Sequence, residues 1–225
     1  LVDIGGGTTD VAIFKEGIIR HTAVIPFGGN IITEDIKEGC TIIRKQAKQL
    51  KVKFGSALAS EASTNEVVVI PGLRGREPKE ISVQNLSHII QARMEEIIEQ
   101  VFYEIKSSGY ENKLIAGIVV TGGGSQLRHV AQLFEFMTGM DTRIGYPTEH
   151  LAKGAEEVTS PSFATGIGLI LKGFERMERA NRSESNHVAD EKQEEMPKKG
   201  RGMGGFLDII KGMSKEFFED KSLEQ

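Results

Sequence analysis

Two glycine-rich stretches carry the residue types best suited to chemistry. The first reads Asp3-Ile4-Gly5-Gly6-Gly7-Thr8-Thr9-Asp10. Glycine lets the backbone reach positive φ and lets a bound group approach it closely. Successive N–H groups in such a turn can cradle phosphate oxygens, which makes Gly5, Gly6, Gly7, Thr8 and Thr9 candidate ligand-binding residues. Asp3 ends the preceding apolar run and is the acid best placed to hold a hydrated Mg²⁺, an ion that prefers oxygen ligands and keeps several waters. Asp3 is also the candidate catalytic acid. A plain glycine-rich hairpin with an acid at its edge fits the same residues, and composition leaves both readings open. The stretch is neither a Walker loop nor a dinucleotide fingerprint, because it lacks the lysine and the strand-to-helix context.

The second stretch is Val119-Val120-Thr121-Gly122-Gly123-Gly124-Ser125. A buried strand runs into three glycines and then, by pattern, a helix. That layout points N–H groups and a positive dipole at a ligand, or lets a flat ring lie on backbone. Gly122, Gly123, Gly124 and Ser125 are its candidates. A tight strand-to-helix connection accounts for them equally well.

The elements that must hold these stretches follow from periodicity. Leu1 to Ile4, Asp10 to Phe14 and Ile18 to Ile25 predict an antiparallel meander, with Lys15-Glu16-Gly17 as its second turn. Phe27-Gly28-Gly29-Asn30 breaks the pattern, and a helix is expected from about Thr33, with Glu34 and Asp35 in its first turn. Arg44 to Lys51 is basic and helical in pattern. Glu66 to Ile70 reads as a strand and Pro71 to Pro78 as a loop. The spacing of Leu86, Ile89, Ile90, Ile97, Val101 and Ile105 predicts a helix over about 83–106, ended near Gly109. Ala116 to Thr121 is a buried strand, and Thr142 to Gly145 a short edge-like one. Ser160-Pro161 starts a helix expected to stop near Phe174. From Glu178 to Gly202 the chain is polar and charged, which predicts a disordered linker.

Composition narrows the classes. A net charge of −4 argues against general nucleic-acid binding. Cys40 is the only cysteine, so neither an internal disulfide nor a cysteine-based metal cluster can form. No apolar run approaches the roughly 18 residues that span a bilayer. The chain opens directly on an apolar run without Met, and the expectation is a fragment that starts inside a domain.

The C-terminal stretch has its own pattern. At about 100° per residue, Phe206, Ile210, Met213 and Phe217 fall within an arc of roughly 60°. Leu207, Ile209 and Phe218 widen that face, while Asp208, Lys211, Lys215 and Glu219 lie opposite. Lys198, Lys199 and Arg201 precede it. A short amphipathic helix on a polar tether predicts an interfacial membrane anchor, with a helix that docks on protein as the alternative.

Taken together, the two glycine motifs resemble the second phosphate motif and the adenosine motif of the actin-like (ribonuclease H-like) ATPase superfamily. Within it, Pro26-Phe27-Gly28-Gly29-Asn30-Ile31-Ile32-Thr33-Glu34-Asp35-Ile36, Gly72-Leu73-Arg74-Gly75-Arg76-Glu77-Pro78, Ala116 to Gly123, and Arg143-Ile144-Gly145-Tyr146-Pro147 resemble the FtsA family of bacterial cell-division proteins. The likeness covers about residues 1–175. It implies an α/β actin-like lobe with ATP and Mg²⁺ as cofactors. The implied layout is the end of a first actin-like subdomain at 1–29, and a second lobe at 30–175. That lobe would contain a smaller subdomain near 55–105 and a helix at 160–175 returning toward the first lobe. A disordered linker at 176–203 and a membrane-targeting helix at 204–220 would follow.

The resemblance also implies partners: the tail of the tubulin-like FtsZ, received near Arg93 and Glu96, further copies of the same protein in an actin-like polymer, and membrane lipid. The family's Ala-Glu-x-x-Lys stretch near the adenosine aligns with Ala47-Lys48-Gln49-Leu50-Lys51. Lys51 thus becomes a candidate nucleotide contact, and a lysine stands where the family has an acid. An enzyme of the same fold, a sugar kinase or chaperone-type ATPase, is the alternative. A polar stretch and a helix, rather than a β-rich substrate domain, follow the lobe and favour the scaffold.

Overall fold

The computed structural model describes residues 1–72, 77–149, 151 and 154–194. The centre of the loop expected at 71–78 and the helix expected at 204–220 lie outside the described residues.

Strand β1 (Val2–Ile4) alternates buried Val2 and Ile4 with half-buried Asp3. In β2 (Thr9–Lys15) the same alternation buries Thr9, Val11 and Ile13. The expected meander is present: β1 pairs antiparallel with β2, and β2 with β3 (Ile18–Ile25). β6 (Ile118–Thr121) lies on the other side of β1 and parallel to it, and β7 (Thr142–Ile144) lies parallel to β6. The sheet order is therefore β3-β2-β1-β6-β7.

This order corrects the division expected at residue 29. The first three strands share one sheet with β6 and β7, and residues 1–173 form one compact unit. The parallel β1–β6 pairing aligns Asp3 with Thr121, so both glycine motifs leave the sheet side by side.

The helices that cover the sheet are held by apolar stripes. Helix α1 (Gly29–Cys40) buries Ile32, Thr33, Ile36 and Cys40. It starts four residues before the expected Thr33, so Glu34 and Asp35 sit in its middle rather than its first turn. The reason is local: the N–H groups of Gly29 and Asn30 donate to Gly5 O and Gly6 O, both at 2.8 Å. The glycine turn caps the helix where a side chain would normally do so. Helix α2 (Arg44–Phe54) buries Ala47 and Leu50.

Helix α3 (Val83–Ser107) buries Leu86, Ile90, Met94, Ile97, Ile98, Val101 and Ile105 along one face, as the spacing predicts. Its first turn is capped by Ser82, which accepts from Asn85 N at 3.4 Å. Gly109 follows its end at φ +71, a conformation that favours glycine. A hairpin of β4 (Val67–Ile70) and β5 (Lys79–Ser82) leads into α3. The smaller subdomain expected at 55–105 thus corresponds to this hairpin, a 3-10 turn at Ala59–Glu61 and α3, all within the same compact unit. Helix α4 (Val130–Thr138) connects β6 to β7.

After Pro161–Phe163, a 3-10 turn, helix α5 runs from Ala164 to Glu194. The expected stop near Phe174 and the linker from 176 onward are corrected as far as Glu194. No glycine or proline interrupts residues 174–194, and Glu175 and Arg179 stand four apart with the acid first. Low apolar content predicts disorder, whereas Glu, Arg, Met, Ala, Lys and Gln, which make up more than half of residues 174–194, propagate a helix well. Residues 174–225 form a second unit, of which 174–194 are described and helical.

Candidate functional site: a glycine-walled cleft

A cavity of about 440 Å³ opens where the two glycine motifs meet α1 and α2. Its size lies in the range of small-molecule sites. Gly5 and Gly6 form one wall, Gly123 and Gly124 another, and Lys48, Lys51 and Val52 of α2 a third. Gly29, Asn30, Gln126, Leu127 and Ser162 complete it.

The glycine turn is built by contact. Gly5 N donates to Thr8 O at 2.9 Å, closing the turn. Gly28, the residue before α1, sits on its back: a Cβ there would lie 2.6 Å from Gly5 O, 2.8 Å from Thr8 O and 2.9 Å from Gly6 O. Gly6 and Gly7 are exposed, and neither N–H donates to a backbone oxygen among the described residues. Those two donors suit an anion. The first N–H groups of α1 do not, since the turn already takes them.

The second motif differs from the expected helix opening. Gly122 has φ +81, and a Cβ on it would meet Asp3 Oδ1 at 2.2 Å and Ile4 O at 2.6 Å. Gly123–Gln126 is a 3-10 turn, and α4 begins only at Val130, after His129 in the left-handed region. A short turn carries too little aligned dipole to attract an anion as a full helix does. Of the two possibilities, the geometry offers the flat backbone surface at Gly123 and Gly124.

Lys51 stands at the join. Its Nζ donates to Gly29 O, at the first residue of α1. Burial, and after it the charges of Lys48 and Arg44, lowers its pKa to about 8. Lys48, one turn back on α2, is exposed and also lines the cleft.

The other candidates fall around this cleft. Thr9 is buried and donates its hydroxyl to Phe27 O at 2.9 Å, fastening β2 to the lead-in of α1. Thr8 donates to Asp10 Oδ2 at 3.0 Å at the outer end of the turn. Ser125 is buried and donates to Gly122 O at 2.8 Å, closing the 3-10 turn. These three serve the walls. Asp3 lines a neighbouring cavity of about 480 Å³ with Thr121, Arg143 and Tyr146, and its Oδ2 accepts from Thr165 Oγ1 at 2.6 Å. Arg93 and Glu96 lie away from the cleft on α3, joined to each other at 2.5 Å.

Several cleft residues were not singled out from the sequence. Asn30, Val52, Gln126, Leu127 and Ser162 line it, and Lys48 faces it rather than a purely solvated side. Asp10 stands directly opposite Asp3 in the β1–β2 register. That pairing was legible, because the acids flank a tight turn in Asp-x-Gly-Gly-Gly-Thr-Thr-Asp. The position of Ser162 was not, since it needs α5 to begin beside the second glycine turn.

The profile of the family described as "Cell division protein FtsA" matches residues 1–168. The chain belongs to the FtsA family. The FtsA of Pseudomonas aeruginosa is 41% identical over 177 residues, covering 78% of this chain and 42% of that protein. The FtsA of Neisseria meningitidis serogroup B is 37% identical over 171 residues, covering 76% and 41%. This FtsA-family chain thus spans about two fifths of the length of the curated relatives it matches. Among solved structures, MreB5 of Spiroplasma citri bound to ADP superposes with a TM-score of 0.60 and 23% identity, covering 81% of this chain and 54% of that one. At that identity the likeness shows the fold, which is actin-like. The family is one of cell-division proteins.

Proposed function

We propose that the chain is part of a cell-division scaffold that binds ATP in the glycine-walled cleft, polymerises in an actin-like way and anchors the FtsZ ring to the cytoplasmic face of the membrane. One observation carries the nucleotide part. Two glycine turns from distant parts of the chain meet at one cavity, whose charged side chains among the described residues are the cations Lys48 and Lys51. Gly6, exposed and lining the cleft, offers an N–H that suits a phosphate oxygen, with Gly7 next to it in the turn, and Gly123-Gly124 suits the face of a base. The ADP-bound MreB5 with the same fold supports this reading.

A magnesium ion accompanying the nucleotide would be held near Asp3 and Asp10. These carboxylates are cross-strand partners beside the cleft, each already accepting from a threonine hydroxyl, and a cation near them would offset the repulsion of like charges so placed. One or two carboxylates with several waters is the usual Mg²⁺ environment. The ion would supply charge neutralisation for the phosphates.

FtsZ-tail binding near Arg93 and Glu96, self-assembly and lipid binding through Phe206, Leu207, Ile210, Met213 and Phe217 follow from the family resemblance and the amphipathic pattern. Ligand-observed NMR with ATP tests the nucleotide part. Gly123→Val should abolish binding by filling the cleft, since a Cβ there has room, with Ser162 Oγ nearest at 3.6 Å. A variant that binds ATP like the parent would place the nucleotide elsewhere.

A further inference from the structure

A free row of backbone N–H and C=O groups at a sheet edge is a template for another strand. The β4–β5 hairpin has such a row. Among the described residues, β5 is the only strand that neighbours β4. Just beyond the ladder, Val83 N donates to Glu66 O at 3.0 Å, which makes Glu66 and Val83 a hydrogen-bonded pair. Such pairs alternate along an antiparallel ladder, so Val68–Ile81 and Ile70–Lys79 are the next ones. The N–H and C=O groups of Val67 and Val69 therefore point away from β5, toward the open side.

The side chains of these two valines are also exposed. Val67 is 50% and Val69 59% accessible, while Ile70 is buried and Val68 half-buried. The strand lacks the usual protection of an edge. No charge, proline or bulge interrupts Val67-Val68-Val69-Ile70, and its β-branched side chains favour extended pairing. A lone two-stranded hairpin is marginal and gains from further strands.

The edge is complementary to itself. With a second β4 laid antiparallel and Val68 on the two-fold axis, Val67 lies opposite Val69 of the other copy, and Val69 opposite its Val67. Both become hydrogen-bonded pairs, which use every free N–H and C=O of the two valines in each copy. Valines meet across the axis on both faces. Glu66 falls opposite Ile70, so no like charges face each other. A slip of one residue would bring these groups against Val68 and Ile70, whose own groups already bond to β5.

We propose that β4 pairs edge to edge with β4 of a second copy of this chain, about a two-fold axis at Val68, so that two hairpins form one four-stranded sheet. Such an isologous contact closes on two copies, whereas the head-to-tail contact of an actin-like polymer repeats. The pairing thus goes beyond the polymer reading and stands without it. The interface is small, and the pairing is weak and depends on concentration.

Sedimentation velocity and cysteine cross-linking of the whole chain test it. The parent should sediment faster as its concentration rises, toward the value of a dimer. The double variant Val67→Lys, Val69→Lys places like charges along the open edge at two exposed positions. It should raise the dimer dissociation constant by about tenfold or more, with an unchanged circular dichroism spectrum. Val67→Cys and Val69→Cys chains with different affinity tags, mixed and mildly oxidised, should cross-link to each other, since opposed Cα atoms lie about 5.5 Å apart. Either variant alone should cross-link little, because its two cysteines would be diagonal neighbours about 7–8 Å apart. The native Cys40 is buried and is the only other thiol. Cross-links no more frequent in the mixture than in either variant alone overturn the proposal. Self-association that the lysine pair leaves unchanged overturns it as well, since assembly would then run through another surface. Should the lysine variant unfold, the mixture of cysteine variants decides alone.

Discussion

Arg93 on α3 grips Asp35 on α1 with two parallel hydrogen bonds, Nε to Oδ2 at 2.7 Å and Nη2 to Oδ1 at 3.0 Å. The remaining Nη1 reaches Glu96 on its own helix. The Asp35 hydrogen bond, ahead of other contributions, raises the Arg93 pKa above its ordinary value. Such a fork-to-fork pair fixes geometry as well as charge. Arg93→Lys keeps the charge but cannot make both bonds, and it should cost roughly 1 kcal/mol, because the pair is still a quarter exposed. Urea unfolding of Arg93→Lys, Asp35→Asn and the double variant measures it. Losses that add without coupling would show that the pair does not act as a unit.

If the cleft holds a nucleotide as proposed, Lys51 should make its binding depend on pH. Its pKa is lowered to about 8 in the fold, from 10.5. Between those values the unfolded chain holds a proton that the folded chain has released. The Lys51 contribution to stability therefore rises with pH through that window, and its penalty is fully present below it. A phosphate nearby favours the ammonium form, so ATP binding takes up a proton near and above the folded pKa. Affinity should fall as the pH rises from about 7 to about 9.5, and Lys51→Arg, which stays charged, should flatten the profile. NMR titrations across that range decide it, and a parent profile as flat as that of Lys51→Arg would rule out this role.

Gly28 is set by space rather than by backbone angle. Its φ of −158° is open to any residue, yet a Cβ would be forced against three backbone carbonyl oxygens of the glycine turn. None of them is a flexible side-chain end that can swing away. Gly28→Ala should destabilise the fold by about 1–3 kcal/mol, as overpacking does. It should also weaken ATP binding more than Gly7→Ala, because a Cβ at Gly7 meets nothing within 4 Å. Thermal unfolding and ATP titration of the two variants provide the comparison, and equal behaviour would contradict the argument.

The membrane-anchor proposal is tested by liposome co-sedimentation. Burying a few apolar side chains stabilises by roughly 1.5–3 kcal/mol each at most, so one anchor should bind reversibly. Phe206→Asp and Phe217→Asp place a charge in the centre of the apolar arc and should release the chain from vesicles. Lys215→Ala on the opposite side should do little. Vesicle pellets that retain both aspartate variants would favour a helix that docks on protein.

The elements with strong periodicity were legible. The alternation of β2 and the stripe from Leu86 to Ile105 dictate a half-buried strand and a buried helix face whatever surrounds them. Sheet order was not legible, because β1 and β6 meet through more than 100 intervening positions that no local pattern links. That contact also decides which lobe the first strands belong to. The place of Lys48 on the cleft wall was not evident from composition, because lysines on a basic helix usually face solvent. Yet Ala47 and Leu50 are the buried residues of α2, and 48 and 51 each follow one of them around the helix toward the same edge. Polar composition past Arg176 concealed a helix, since helix propensity and apolar content are separate properties.

The joint between the glycine turn and α1 has a mechanical consequence. Gly29 and Asn30 are bonded to the carbonyls of Gly5 and Gly6, and Gly28 leaves no gap between the two segments. Loop and helix thus form a rigid crank without a bearing, one end at the wall of the cleft and the other clamped by Arg93 at Asp35. A ligand that displaced Gly6 by even a fraction of an ångström would turn the crank, and the torque would be delivered through Asp35 to the three-quarters buried Arg93 on α3, with exposed Glu96 beside it.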